Sequence, residues 1–236
     1  MQGKLLGQFR ATVAVAGAAL TLISGTVGLA PRAAAQDVTP TPGVLEGPPA
    51  QLACTAVEGV ADIYAIASEE SEARYRVQEE LASIGAIEAI GATKAIVGNL
   101  YLGAEGQARA CSRFDLDLRT LRSDDARRDN YLYSNTLETG SYPLATFVLS
   151  EVQGLDGPLT EEGKTFRLIG DLTLHGVTKL VVWEVTASRK GDTLVGKAAT
   201  VFEMPQFAIT PPKVGPVVSL DETVKLEVDL VLKPAQ

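Results

Sequence analysis

The clearest pattern in this sequence is a period-two recurrence of apolar residues between Thr165 and Val185. Apolar side chains recur at every second position before the dipeptide His175-Gly176, and they do so again after it. A period of two is typical of a strand that buries one face and exposes the other. Because glycine tolerates the positive φ of a tight turn, the two halves are predicted to form a long antiparallel hairpin.

Similar alternation predicts further strands along the chain. We expect them over residues 72–81, 93–102, 111–121, 144–152, 192–203 and 220–232. Gly98 interrupts one of these runs and indicates a bulge or a close approach of two backbones. Residues 124–134 break the alternation behind an acidic cap and predict a short helix. The small residues of 82–92 predict a helical turn or a loop, and the prolines of 204–219 predict a long loop with at most one helical turn.

About eight strands with one or two short helices indicate an all-β fold. Most successive strands are joined by short turns, which predicts an antiparallel sheet. Eight tilted antiparallel strands can close into a barrel, and closure removes the exposed edges that promote aggregation. We therefore expect an eight-stranded antiparallel β-barrel with one or two short helices.

The first 35 residues have the pattern of a secretory signal peptide. Lys4 and Arg10 precede the uncharged apolar run 11–30, and Ala33-Ala34-Ala35 offers a cleavage site. We expect cleavage before Gln36 and no stable membrane anchor afterwards. The alternative is an uncleaved anchor, because about 20 apolar residues can just span a bilayer.

The rest of the chain divides into a Pro-rich linker and N-terminal extension, residues 36–70, and a barrel domain, residues 71–236. Cleavage would change the net charge from −8 to −11, because the removed segment holds three basic residues and no acidic one. An acidic surface repels nucleic acid and anionic headgroups, so neither is expected as a surface partner. We expect an exported protein, periplasmic or extracellular.

Cys54 and Cys111 are the only two cysteines. In an exported protein an even number suggests a disulfide bond. A bridge between them would close a loop of about 57 residues, which stabilises a fold by roughly 4 kcal/mol on the chain-entropy account. The alternative is two separate buried thiols. Because no C-x-x-C pair is present, thiol–disulfide catalysis is not expected.

Three stretches resemble motifs of the YceI-like family. The first is the run Asp125 to Asp129 with Leu132, Tyr142-Pro143 and Phe147, which resembles the family block rRD…L…yP…F. The second is the hairpin Gly170 to Thr178, which resembles G-x-L-T-l-H-G-v-T. The third is the closing strand 221–232. The resemblance extends from about residue 73 to residue 233. It implies an extended, lipocalin-like barrel that binds a polyisoprenoid or a similar long-chain amphiphile in its lumen. It also implies an exported, often periplasmic, protein with no catalytic apparatus.

The inward-facing apolar positions form the predicted ligand-binding set. They are Phe114, Leu116, Leu118, Phe147, Phe166, Leu168, Trp183, Val185, Leu226 and Val228. Periodicity leaves two alternatives open, because small barrels are often filled by their own side chains. The family resemblance favours an open lumen and a carrier of an apolar chain. A filled barrel would instead be an adhesion or assembly module that uses the 36–70 extension.

Few residues suggest catalytic chemistry. His175 is the only histidine, and it is interpreted as a turn residue rather than as a metal ligand or a catalytic base. Arg127, Arg128 and Asp129 could hold a phosphate or carboxylate headgroup, because arginine matches the geometry of such oxygens. They could equally brace one end of the barrel through salt bridges. We expect no enzyme activity, metal or cofactor.

Overall fold

The computed structural model describes residues 43–45, 49–50, 58–83, 85–212 and 217–235; the predicted signal peptide and Cys54 lie outside them. The strands of this part are β1 (Gly43–Val44), β2 (Asp62–Ile66), β3 (Glu72–Leu81), β4 (Gly85–Thr93), β5 (Ile96–Leu102), β6 (Arg113–Asp117), β7 (Leu144–Gln153), β8 (Lys164–Leu174), β9 (Val177–Lys190), β10 (Thr193–Glu203), β11 (Val217–Leu220) and β12 (Thr223–Pro234). The helix α1 (Ala126–Tyr131) continues into a π-helical turn (Leu132–Thr136). Three 3₁₀ turns cover Ser68–Glu70, Leu118–Thr120 and Met204–Phe207.

Eight of the strands close into an antiparallel barrel. Around the ring the order is β9, β8, β7, β6, β5, β2, β12 and β10, and β10 pairs again with β9. The sheet extends beyond the ring where β3 pairs with β12, and β4 and β11 flank β3. The prediction of an all-β, eight-stranded antiparallel barrel with short helices is confirmed. The ring includes β2, which lies within the segment assigned from the sequence to the N-terminal extension.

The predicted central hairpin is formed by β8 and β9. The two strands pair over eleven residues each, from Lys164 opposite Ala187 to Leu174 opposite Val177. His175 and Gly176 connect them with φ values of 50° and 72°. Two consecutive positive φ angles match the right-handed twist of the strands, which explains why this short turn suits so long a hairpin.

The prediction of a turn or loop over residues 82–92 is wrong, because most of this segment is β4. This strand pairs with β3 along its whole length. Its small residues serve packing, since the ring of Tyr75 lies across Gly91. A Cβ atom at Gly91 would approach the Cε1 atom of Tyr75 to 2.3 Å. The glycine at position 91 therefore reflects the tyrosine on the neighbouring strand.

The segment 204–219 holds more regular structure than its prolines suggested. The predicted helical turn is present at Met204–Phe207. The end of the segment, however, belongs to β11, which pairs with β3. This short strand starts after the last proline of the segment, and its first two residues are β-branched valines, which favour extended backbone.

The short strand β1 completes the barrel wall between β9 and β10. β10 pairs with only the second half of β9. Alongside the first half, β1 pairs with β9 at Val181 and Val182. The hydroxyl of Thr200 donates to the Val182 carbonyl across the same gap, at 2.8 Å. Further along the chain, the Ala50 amide donates to the Asp171 carboxylate at 2.7 Å, so residues near the N-terminal end of the described chain are fixed to the barrel.

Candidate functional site

The inward faces of the strands enclose a cavity of about 240 Å³. The barrel is therefore not completely filled by its own side chains. All ten residues that the alternation placed inside line this cavity: Phe114, Leu116, Leu118, Phe147, Phe166, Leu168, Trp183, Val185, Leu226 and Val228. Their contact with a ligand stays a prediction.

Further apolar residues of the cavity wall were not singled out from the sequence. They are Ile96, Leu100, Leu102, Leu172, Leu194, Leu230 and Leu232. Each occupies an inward position on a strand that the sequence had predicted. The same period of two would have found them if it had been followed to the end of every strand.

An aromatic pair forms part of the wall. The rings of Phe147 and Trp183 meet edge to face, with centroids 6.0 Å apart. Both side chains are more than nine-tenths buried. The indole Nε1 of Trp183 has no hydrogen-bond partner in the described part of the chain. Because Trp183 is the only tryptophan, its fluorescence reports directly on this wall.

At the end of the cavity nearest the β8–β9 turn the lining residues are buried, and we call it the closed end. Leu118, Leu121 and Leu174 line this end and are buried. The hydroxyl of Tyr133, in the turn that follows α1, donates to the carbonyl oxygen of Leu121. The α1 segment is thereby attached to the closed end.

The Arg-Arg-Asp motif of α1 forms ion pairs and hydrogen bonds within the protein. Arg128 donates to the carboxylate of Glu79 at 2.8 Å, and the side chain of Glu79 is only 6% exposed. Arg128 also pairs with Asp124. Asp129 accepts hydrogen bonds from the backbone N–H and the hydroxyl of Ser123, at 2.9 and 2.7 Å.

The third member of the motif, Arg127, points into solvent. Its side chain is 93% exposed and lies 3.4 Å from the carboxylate of Asp125. Neither Arg127 nor Arg128 nor Asp129 lines the cavity. The geometry therefore matches the bracing alternative for Arg128 and Asp129, and a headgroup contact by this motif stays a prediction.

Tyr75 also lines the cavity. Burial raises the pKa of its phenol to about 12, and the nearby Arg128 guanidinium opposes this shift only in part. The side chain therefore remains neutral throughout the physiological pH range. It can act as a hydrogen-bonding group without adding charge to an apolar cavity.

The opposite end of the cavity opens to solvent. Of the lining residues, Pro158 and Arg189 are exposed, and both lie at this end. The Arg189 Nε donates to the carbonyl oxygen of Gly191 at 2.9 Å, and its backbone N–H donates to the carbonyl of Thr160 at 2.8 Å. We call this end the mouth and define it by Gly106, Pro158 and Arg189.

His175 lies at the turn between β8 and β9, as the sequence indicated. Its Nδ1 lies 3.3 Å from the Phe207 carbonyl oxygen, and its Nε2 lies 2.9 Å from the Glu138 carboxylate. The ring also meets Tyr142 edge to face at 4.8 Å. Both ring nitrogens are thus engaged in holding two loops against the hairpin.

The described residues include neither a metal-binding cluster nor a membrane-spanning helix. No group of three or more His, Cys, Asp or Glu side chains is placed to hold a metal ion there. Within the same residues, no helix is both long and apolar enough to cross a membrane. The predicted disulfide is untested, since Cys54 lies outside the described ranges.

Several known proteins are similar to this chain in sequence or in fold. A UPF0312 protein of Pseudomonas putida strain W619 is 36% identical over 110 residues, which cover 43% of this chain and 54% of that protein. The match therefore spans about half the length of that relative. Protein YceI of Escherichia coli O157:H7 is 29% identical over 157 residues, covering 65% of this chain and 76% of the relative.

A solved structure shares the fold at low sequence identity. It is a polyisoprenoid binding domain from Saccharophagus degradans, with a TM-score of 0.57 and 13% identity, covering 74% of this chain and 100% of that chain. The family model described as the YceI-like domain matches residues 64–232, from β2 to the end of the barrel ring in β12. This match covers well over half of the sequence, and the chain belongs to the YceI-like family.

Proposed function

We propose that this protein is a non-enzymatic carrier that holds a polyisoprenoid or a similar long apolar lipid in the barrel cavity. The observation that carries the proposal is the cavity itself, whose wall is built from aromatic and aliphatic side chains on the inward faces of the strands. The likeness of the fold to the polyisoprenoid binding domain of Saccharophagus degradans supports the same ligand class.

The shape of the cavity suits an extended chain. On β8 the lining residues extend from Phe166 to Leu174, which is roughly 26 Å at about 3.3 Å per residue. With a strand tilt of about 40°, this corresponds to roughly 20 Å along the barrel axis. A long, narrow and apolar space favours a slender hydrocarbon over a compact polar metabolite.

Burial of apolar surface provides enough free energy for the protein to bind a long lipid chain tightly. A chain that buries roughly 400 Å² of apolar surface gains up to about 10 kcal/mol. Loss of translational freedom and ordering of the chain offset a large part of this gain. A dissociation constant between about micromolar and nanomolar follows.

The proposal includes no catalytic step. His175, the side chain best suited to general base catalysis, is held by the Phe207 carbonyl and the Glu138 carboxylate at the closed end. We further propose export to the periplasm or the cell exterior, on the basis of the N-terminal sequence pattern. A carrier of this kind would shield an apolar lipid chain from water while the lipid is moved from one place to another.

Titration of delipidated protein with geranylgeraniol tests the proposal through Trp183 emission. Saturable binding should shift the emission, because Trp183 lies in the cavity wall. Ala187→Phe, which narrows the cavity, should weaken binding at least tenfold. Thr186→Phe is the matched control, because this neighbour lies on the exposed outer face of β9 and should leave binding unchanged.

Native mass spectrometry of protein purified from a lipid-containing host provides a second readout. A bound mass of isoprenoid size is expected. Unchanged emission at saturating geranylgeraniol, together with no bound lipid, would sink the carrier proposal and leave an adhesion or assembly module in its place.

A further inference from the structure

The inward face of β9 ends in a cation. Along this face the side chains are Trp183, Val185 and Ala187, which are apolar, followed by Arg189. Since successive inward residues are about 7 Å apart, Arg189 continues the line of the cavity wall to the mouth. It is exposed there, so its charge is not buried.

The Arg189 guanidinium has no carboxylate partner in the described part of the chain. None lies within 4 Å of its nitrogens, whereas Arg74, Arg76 and Arg128 each pair with two carboxylates. Its Nε is fixed by the carbonyl of Gly191. The two terminal nitrogens of the guanidinium are without a carboxylate in the described part of the chain. These nitrogens form the fork that matches two oxygens of a carboxylate or phosphate.

A second cation lies on the inward face of the adjacent strand. Lys164 shares its parity with Phe166 on β8 and is paired with Ala187 on β9. Its ammonium group donates to the carbonyl oxygen of Asp156. It too has no carboxylate within 4 Å among the described residues. Lys164 does not line the cavity, so Arg189 is the cation of the mouth itself, and Lys164 is a second cation without a carboxylate partner at the same end of the β8–β9 hairpin.

We propose that the ligand is an amphiphile with an anionic head, and that Arg189 is the residue that holds this head at the mouth. The inference rests on the proposed function and specifies its ligand: a long-chain carboxylate or a prenyl phosphate. The tail enters the cavity towards the closed end, and the head stays at the solvent-exposed rim. This arrangement leaves the charge hydrated and buries only the chain, which avoids the large cost of burying an ion.

The local charge also reconciles this ligand with the acidic surface. An acidic protein repels anions in general, but the unpaired guanidinium of Arg189 attracts an anion that comes within a Debye length of it, which is about 8 Å at physiological salt. Lys164 adds to this local field, while the bidentate fork of Arg189 makes the direct contact.

The experiment compares three probes that share one chain: geranylgeraniol, geranylgeranoic acid and geranylgeranyl phosphate. Binding of each to the delipidated full chain is followed by Trp183 emission at low and high salt. The wild type should bind the two anions at least tenfold more tightly than the alcohol, and high salt should reduce the difference. The two anions distinguish a carboxylate head from a phosphate head.

Variants of the protein then test whether Arg189 causes the preference for anionic probes. Arg189→Gln should remove the preference for anions and weaken binding of the alcohol far less than binding of the anions, while Arg189→Lys should retain part of the preference. Lys190→Gln is the matched control, because Lys190 is the next residue but lies on the opposite face of β9. It should behave as the wild type.

Three outcomes would overturn the inference. Equal affinity of the wild type for the alcohol and the anions would do so, as would an Arg189→Gln variant that weakens all three probes equally. A preference removed by Lys190→Gln as well would indicate general charge rather than a site. Failure of all three probes to bind would instead overturn the proposed function, and this inference with it.

Discussion

The two ends of the cavity differ in how their charges are balanced. At the closed end, Arg128 lies between Glu79 and Asp124, and Asp129 accepts two hydrogen bonds from Ser123. At the mouth, Arg189 has no carboxylate partner in the described residues. The closed end is an internally satisfied assembly, and the mouth retains bonding capacity for another molecule.

The difference separates charges that stabilise the fold from charges that are available for binding. Removing one partner of a buried ion pair is costly, because the other charge remains buried and uncompensated. Removing an exposed cation without a partner costs the fold little, since water solvates it in either state. Arginines in the same barrel can therefore have opposite roles, and their surroundings rather than their sequence motif decide which.

The largest predicted effect concerns the disulfide bond expected between Cys111 and Cys54. Cys111 follows the loop that carries Gly106 and Ala108, two residues of the cavity wall. If it is bonded to Cys54, reduction should lower the free energy of unfolding by roughly 4 kcal/mol. Urea unfolding with and without reductant measures this, and alkylation followed by mass analysis counts the thiols. Two alkylated thiols in unreduced protein would refute the bridge.

An intermediate effect tests the closed end directly. Glu79→Gln should destabilise the fold by about 3 kcal/mol, because it leaves the half-buried Arg128 with only the exposed Asp124. Asp124→Asn and Arg189→Gln should each cost less than about 0.5 kcal/mol. Urea unfolding of the three variants measures the contrast. Similar losses for Glu79→Gln and Arg189→Gln would break the comparison of the two ends.

A smaller effect appears at alkaline pH. Because burial holds the pKa of Tyr75 at about 12, above its ordinary value, folding disfavours the phenolate. The contribution is complete below about pH 10 and is lost as pH rises towards 12, by roughly 2 kcal/mol in all. Tyr75→Phe should reduce this loss, whereas Tyr142→Phe, at an exposed tyrosine, should not. Identical alkaline unfolding curves for Tyr75→Phe and the wild type would count against this account.

Alternation predicted the barrel well, because burial of one strand face leaves a period of two in the sequence. The inward set from Phe114 to Val228 lies in the cavity wall for this reason. The pattern could not predict β4, whose small residues accommodate Tyr75 from the neighbouring strand. Such a contact depends on a pairing that one strand alone does not encode.

The site was harder to predict than the fold. The Arg-Arg-Asp motif attracted attention because of its composition, yet two of its three residues form ion pairs or hydrogen bonds within the protein. Arg189 belongs to no recognisable sequence motif. Only its spacing from Trp183, an even number of positions along the same strand, indicates that it faces inwards. Its lack of a carboxylate partner is a three-dimensional property, since the acidic residues near it in sequence could equally have paired with it.

The pairing of β2 with β12 has a consequence for how the protein folds. Tyr64 pairs with Pro234, so the ring joins residues from nearly opposite ends of the described chain. This pairing forms only after almost the entire polypeptide is available, and loop closure over such a separation costs entropy before any contact compensates for it. Folding should therefore be slow, on the millisecond-to-second scale of β-proteins rich in non-local contacts. A chain that folds slowly stays unfolded longer, and this is compatible with the proposed export, because an unfolded chain can cross a membrane before it folds.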